Sequence, residues 1–201
     1  MESRTAQCFS VISRSRFARR LLNDDNAEQE LIMQTAAAST VHASALGNLR
    51  VEASGAGVTR VAFTDDAVTA PIAENSCALE HLVEALVEID GYLAGTRREF
   101  TVPLDRPALS AFDRTVLETL EATTAYGRTT TYGALARALG RGPADARKVG
   151  GALSRNPLLI LIPCHRVLGA DGALTGYAGG LAAKRALLDL ESADLRLPLA
   201  I

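Results

Sequence analysis

The sequence predicts an α/β protein in two parts: a small N-terminal α/β domain, made of a short antiparallel sheet plus a helix, and a mainly helical C-terminal domain with a helix-turn-helix. Three observations carry this. Strand-type alternation is confined to the first half, helical spacing of apolar residues dominates the second, and 201 residues with 48% apolar content suit one large domain or two small ones. The expected organisation is an extension over residues 1–35, an α/β domain over 36–105 and the second domain over 106–195.

Residues 1–35 differ from the rest, with Arg4, Arg14, Arg16, Arg19 and Arg20 preceding acidic Asp24, Asp25, Glu28 and Glu30, and are expected to be loosely ordered. Their Arg- and Ser-rich start resembles a transit peptide, while Met33 offers an alternative start. From Thr40 the pattern becomes short strands. Leu49 to Ala53 alternates, Gly55-Ala56-Gly57 turns, and Val58 to Phe63 returns, which predicts a hairpin. A helix follows, capped by Ser76, with Leu79, Leu82, Leu86 and Leu93 as its apolar stripe and Gly95 as its stop. A strand over Phe100 to Leu104 is expected to complete the unit, with Asp105 to Pro107 as linker.

Ser110 and Asp113 approximate a capping box, and Phe112, Val116, Leu117 and Leu120 sit at helical spacing, so this helix should be core. A short helix from Tyr132 to Leu139 is expected next. Gly142-Pro143 then supplies a cap and first-turn proline for another, through about Leu153. Two short helices around a glycine turn read as helix-turn-helix.

Composition narrows the function. The longest apolar run, Leu158 to Ile162, is far short of the ~20 residues a membrane-spanning helix requires. Three widely spaced cysteines argue against a disulfide scaffold and for a reducing compartment, and no clear export signal is visible, which favours the cytoplasm, or the nucleus in a eukaryote. The net charge of −2 hides an asymmetry: from Tyr126 to Arg185 nine basic residues stand against Asp145 and Asp171, whereas residues 1–105 carry nine basic and fifteen acidic ones. A basic half suits a phosphate backbone.

In that half, Ile160-Leu161-Ile162-Pro163-Cys164-His165-Arg166-Val167 delivers a cysteine and a histidine at the end of an apolar run. Only the thiolate attacks, and an imidazole and a guanidinium beside it are activators. The competing reading is a buried structural cysteine. On an extended segment, successive side chains point to opposite sides, so His165 is badly placed to touch the sulfur directly and a bridging water is expected.

Read outward from Cys164, the segment resembles the catalytic domain of the O6-alkylguanine-DNA alkyltransferases. The matching motifs are Thr131-Tyr132-Gly133, Arg147 before Val149-Gly150-Gly151-Ala152, Asn156-Pro157, Pro163-Cys164-His165-Arg166-Val167, Thr175-Gly176-Tyr177-Ala178-Gly179-Gly180, and Leu187-Leu188 leading to Glu191. The resemblance implies direct-reversal DNA repair. An alkyl group passes from O6-alkylguanine, with O4-alkylthymine as a second candidate, irreversibly to Cys164 in a single turnover without organic cofactor. It further implies a catalytic set of Cys164, His165, Glu191 and Tyr132, where Glu191 orients His165 and Tyr132 donates to the guanine ring. Val167, Tyr177, Ala178 and Gly179 would line the base site, with the Ala178 amide facing the departing oxygen and the Cys164 and Val167 carbonyls facing the exocyclic amine. Asn156 is expected to tie the turn before the active-site segment.

The implied partner is double-stranded DNA, entered through the minor groove by a helix carrying Arg147, Lys148, Gly150 and Gly151, with Thr131 also at the DNA. Arg147 would be the wedge behind a flipped nucleotide. The acting species is expected to be a monomer. The chain departs from the family pattern at Ser110-Ala111-Phe112-Asp113, where Thr-Pro-Phe-Gln is usual, and at Ala125, where proline is.

Three other classes compete. A non-catalytic alkyltransferase-like protein would replace the cysteine, usually with tryptophan, and this chain has Cys164 and no tryptophan. A transcriptional regulator would require a further domain, and a Cys/His/Glu hydrolase would act without DNA. Cys8, His42, Cys77 and His81 match no zinc motif, so no metal is expected.

Overall fold

A computed structural model of the chain describes residues 37–106 and 109–196; the extension expected over residues 1–35 lies outside them. The N-terminal part is a four-stranded antiparallel sheet, β1 (Ala38–Ser44), β2 (Gly47–Ser54), β3 (Gly57–Phe63) and β4 (Ile72–Ala73), in the order β3-β2-β1-β4. The alternation read in the sequence is what builds it: Leu49, Val51 and Ala53 are buried on one face, and Leu49 and Val51 stand opposite Phe63 and Val61 of β3. Gly57 has φ +151, and a Cβ there would lie 2.5 Å from the Pro103 carbonyl oxygen, which accepts from the Val58 N–H. Only glycine fits at that crossing.

Helix α1 (Ser76–Leu93) packs across the sheet. Its cap is Asn75, one residue earlier than expected. Asn75 is the residue with extended backbone, so its side chain accepts the free N–H of Ala78. The buried face is also rotated from the leucine stripe: Ala78, Leu82, Ala85, Ile89 and Tyr92 are fully buried, while Leu79 is 37% exposed. Small residues and a tyrosine carry the burial that a leucine count misses. The helix stops as expected at Gly95, with φ +72 and its N–H bonded to the Tyr92 carbonyl.

The strand expected over Phe100 to Leu104 does not form. Leu104 makes a single bridge to Val58, and the amides of Thr101 and Val102 donate to the buried carboxylate of Glu88 at 2.9 and 3.2 Å. A side chain from α1 has taken the place of a neighbouring strand.

In the C-terminal part, α2 (Ala111–Thr123) is capped by Ser110, which accepts from Asp113 N, and buries Val116, Leu117 and Leu120. Asp113 does not close a reciprocal box. Its carboxylate binds Arg155 in bidentate fashion at 2.6 and 2.9 Å. Helix α3 (Tyr132–Ala138) is capped by Thr131. A 3-10 turn (Pro143–Asp145) opened by Gly142 then leads into α4 (Ala146–Ser154), so the expected helix-turn-helix is present with its second helix starting one turn late.

The apolar run 158–162 is not a strand either. Ile160 has φ +72 and Ile162 N donates to the Leu158 carbonyl, which folds the run back on itself. The edge of β3 holds this segment: Val61 N donates to the Pro157 carbonyl and Leu159 N to the Val61 carbonyl. Next come a 3-10 turn (Cys164–Arg166), the two-residue strand β6 (Val167–Leu168) parallel to β5 (Thr130–Thr131), and α5 (Gly180–Arg196). Among the described residues no helix is long and apolar enough to cross a membrane.

Candidate active site

Cys164, the free cysteine among the described residues, opens the 3-10 turn at the floor of a cavity of about 340 Å³. Tyr132, Gly150, Leu153, Gly176, Tyr177 and Ala178 are among its walls. The helix-turn-helix thus forms one side of the pocket and the 176–178 loop the other. Gly150 lies against the Tyr132 ring, where a Cβ would sit 3.5 Å from the ring edge.

The turn changes how Cys164 and His165 are disposed. In a 3-10 turn neighbouring side chains diverge by about a third of a revolution, instead of pointing to opposite sides as on the extended segment expected. The thiol faces the pocket and the imidazole is driven into the protein, where it is fully buried.

There Nε2 of His165 lies 2.7 Å from Glu191 Oε1. Glu191, on α5, collects donors: Oε1 accepts from the Tyr92 hydroxyl at 2.5 Å and from Arg166 Nε, and Oε2 accepts from the Gly127 N–H at 2.7 Å and again from Arg166 Nε. Burial opposes its ionisation, but His165, Arg166 and Tyr92 outweigh that and hold its carboxyl down at about 2. A carboxylate can only accept. The His165 tautomer inferred from this network therefore carries its proton on Nε2. That leaves Nδ1 as an unprotonated, buried nitrogen without a hydrogen-bond partner. Burial lowers the pKa of His165 below its ordinary value, with Glu191 opposing, so the ring is a neutral base.

The thiol is held the other way. Burial pushes Cys164 up to about 11, opposed by an amide hydrogen bond from Asn156 Nδ2 at 3.2 Å and by the charge of Lys184. At rest it is a neutral thiol. Asn156 also donates to the Ile162 carbonyl and accepts from Leu158 N, so the residue expected only to tie the turn reaches the sulfur as well.

Tyr92 was absent from the sequence reading, and Lys184 entered it only as one of the nine basic residues of the second half, not as a buried group. Lys184 Nζ is fully buried and donates to the carbonyls of Val167 and Thr175, each at 2.6 Å. Burial lowers its pKa, while Cys164 acts in the opposite sense. The Val167 carbonyl, expected to face a base amine, thus already serves Lys184. Apart from the helical period that turns them inward, neither residue has a local sequence signature.

The remaining residues divide by location. Tyr132 is part-exposed at the pocket mouth, its hydroxyl 3.5 Å from the Gly176 carbonyl. Tyr177 packs its ring edge-on to His165, with centroids 6.3 Å apart, and Ala178 lines the wall. Gly179 is pressed against Phe63 of β3: a Cβ would fall 2.3 Å from that ring. Arg147 and Lys148 are exposed on α4, Lys148 pairing with Asp145 at 2.8 Å, and Gly151 leaves that helix bare near Arg155. Thr131 is the cap of α3.

No group of three or more His, Cys, Asp or Glu side chains converges as a metal site among the described residues. His42 pairs with Asp90 at 2.9 Å, and His81 Nδ1 donates to the Ser54 carbonyl. Cys77 is disulfide-bonded, where the cysteine spacing was read as arguing against a disulfide scaffold, and Cys8 lies outside the described residues.

Comparison with known proteins gives two matching family models: 6-O-methylguanine DNA methyltransferase, ribonuclease-like domain, over residues 38–106, and the DNA binding domain of the same family over residues 111–193. A methylated-DNA–protein-cysteine methyltransferase of Mycobacterium leprae is 47% identical over 108 residues, 54% of this chain and 64% of that protein. Its namesake in Mycobacterium bovis is 46% identical over 117 residues, 56% of this chain and 69% of that protein. The match thus spans about two-thirds of these relatives. The structure of Mycobacterium tuberculosis OGT in complex with DNA superposes with a TM-score of 0.65 at 34% identity, covering 77% of this chain and 92% of that one.

Proposed function

The chain belongs to the 6-O-methylguanine DNA methyltransferase family, and we propose that it repairs alkylated DNA by moving the alkyl group of O6-alkylguanine onto its own Cys164. The observation that carries this is the thiol at the floor of a base-sized pocket, backed by a neutral imidazole fixed on an ionised carboxylate. Displacement at a saturated carbon needs a soft nucleophile that is released only when its proton has somewhere to go.

The thiol proton passes through water to Nδ1 of His165, and Glu191 stabilises the imidazolium that forms. Thiolate charge is favoured by the Asn156 amide and by Lys184. The sulfur attacks the alkyl carbon, the S–C bond forms and the C–O6 bond breaks. The guanine ring takes a proton from the Tyr132 hydroxyl, and the proton left on His165 restores that hydroxyl by way of solvent, so no net proton is gained or lost. The Ala178 amide faces the departing oxygen. The product is a thioether that ordinary thiols do not displace, so each molecule acts once. A high resting thiol pKa suits such a protein, because a group used only once is then not spent on stray electrophiles.

A base in a duplex cannot reach this pocket, so the nucleotide must flip out, at a cost of a few kcal/mol. The exposed side of α4, with Arg147 and Lys148 beside Gly150 and Gly151, is suited to the minor groove, and Arg147 to the space the base vacates. The protein acts as a monomer. The test is the DNA itself: nucleoside analysis after incubation with an O6-methylguanine duplex should recover one guanine per protein molecule consumed, and more than one would exclude a self-inactivating acceptor.

A further inference from the structure

The carboxylate of the relay is held by a residue from the other half of the chain. Tyr92 stands in the last turn of α1 with its side chain fully buried, its ring 5.1 Å from Phe100 and 5.9 Å from Tyr126. Its hydroxyl donates to Glu191 Oε1 at 2.5 Å and lies 3.4 Å from His165 Nε2, whose own proton is committed to the same oxygen. Resting on the reading of Cys164 as alkyl acceptor, we infer that Tyr92 is a positioning residue of the proton relay: the N-terminal domain fixes, through this hydroxyl, the Glu191 oxygen that orients His165.

The argument is one of filled approaches. Gly127 N and Arg166 occupy Oε2, and Arg166 reaches Oε1 as well, so Tyr92 takes an approach to Oε1 that His165 could otherwise follow. The imidazole is confined to one direction, which fixes where the unpartnered Nδ1 stands. Burial and the neighbouring carboxylate push the phenol pKa far up, so it remains a donor throughout the working range. The other charged or titratable groups around the relay are Arg166 and Lys184, which both oppose an imidazolium, together with Cys164, Tyr177 and Tyr126. None of them replaces a neutral donor on Oε1. Without it, Glu191 draws harder on the imidazole proton, His165 protonates more readily, and the thiol loses its base at a higher pH.

Tyr92→Phe keeps the ring between Phe100 and Tyr126 and removes one oxygen. Two rates are followed against pH: single-turnover transfer from an O6-methylguanine duplex, and alkylation of Cys164 by iodoacetamide, which needs neither DNA nor a lesion. Both should fall about tenfold, the scale of one hydrogen bond to a charged acceptor, with the acid limb moved to higher pH and duplex affinity unchanged. Incorporating 3-fluorotyrosine at position 92, a stronger donor of nearly the same shape, should move the limb the opposite way and decides the matter if the phenylalanine variant does not fold. Profiles that superimpose on those of the native protein in both reactions would overturn the inference and leave Tyr92 as packing. If the native protein takes no alkyl group from DNA, the underlying reading fails, yet the iodoacetamide profiles still decide the role of Tyr92.

Discussion

Replacing Glu191 with glutamine should cost about 3 kcal/mol of stability at neutral pH, and that cost should disappear in acid. The carboxyl is held at about 2 in the folded chain against an ordinary 4.5, and at ~1.4 kcal/mol per unit this gap is worth roughly 3 kcal/mol. An independent estimate agrees: removing one member of a buried pair typically costs ~3–5 kcal/mol, and here Arg166 would be left without its carboxylate. Because the folded value is depressed, the contribution is fully present above 4.5 and is lost as pH falls toward about 2. Urea unfolding of the native and Glu191→Gln proteins, from about pH 7 down to about pH 3, reads the difference directly. The two stabilities should converge on acidification. A difference that stays constant with pH, or one already below ~0.5 kcal/mol at neutrality, would refute the reasoning that an ionised Glu191 anchors this centre.

Other perturbations separate chemistry from scaffold. Cys164→Ala should abolish alkyl transfer yet leave lesion-duplex binding near native, as measured by fluorescence anisotropy. Gly179→Ala drives a methyl to within 2.3 Å of Phe63 and should cost ~1–3 kcal/mol in thermal unfolding, with much of it recovered in a Phe63→Leu background. Arg147→Ala should slow reaction with duplex DNA far more than reaction with free O6-benzylguanine; equal losses would rule out its service behind a flipped nucleotide.

How much of this was legible in the sequence follows from the range of the forces involved. The β2–β3 hairpin was readable because alternation and Gly57 are local, and α2 because Ser110 and the spacing of Val116, Leu117 and Leu120 are. Cys164 and His165 stood out in the run itself and Glu191 came from the resemblance; the fold joins His165 and Glu191 in one buried network and sets the Cys164 thiol at the pocket. The errors have a common origin. Asn75 displaced Ser76 as cap because backbone conformation decided, Glu88 replaced a strand from thirteen residues away, and Ile160 bent a run that hydropathy alone reads as straight. Tyr92 was invisible because its partners are distant along the chain, and Lys184, counted with the basic residues, gave no local sign that it would be buried on backbone carbonyls.

The central claim is that Cys164 accepts the alkyl group, and intact mass spectrometry with peptide mapping tests it most directly. After incubation with a duplex carrying one O6-methylguanine, the protein should gain the mass of a single CH2 unit, saturating at one per molecule and confined to the peptide that contains Cys164. An unchanged mass, or an adduct on another residue, would contradict the account.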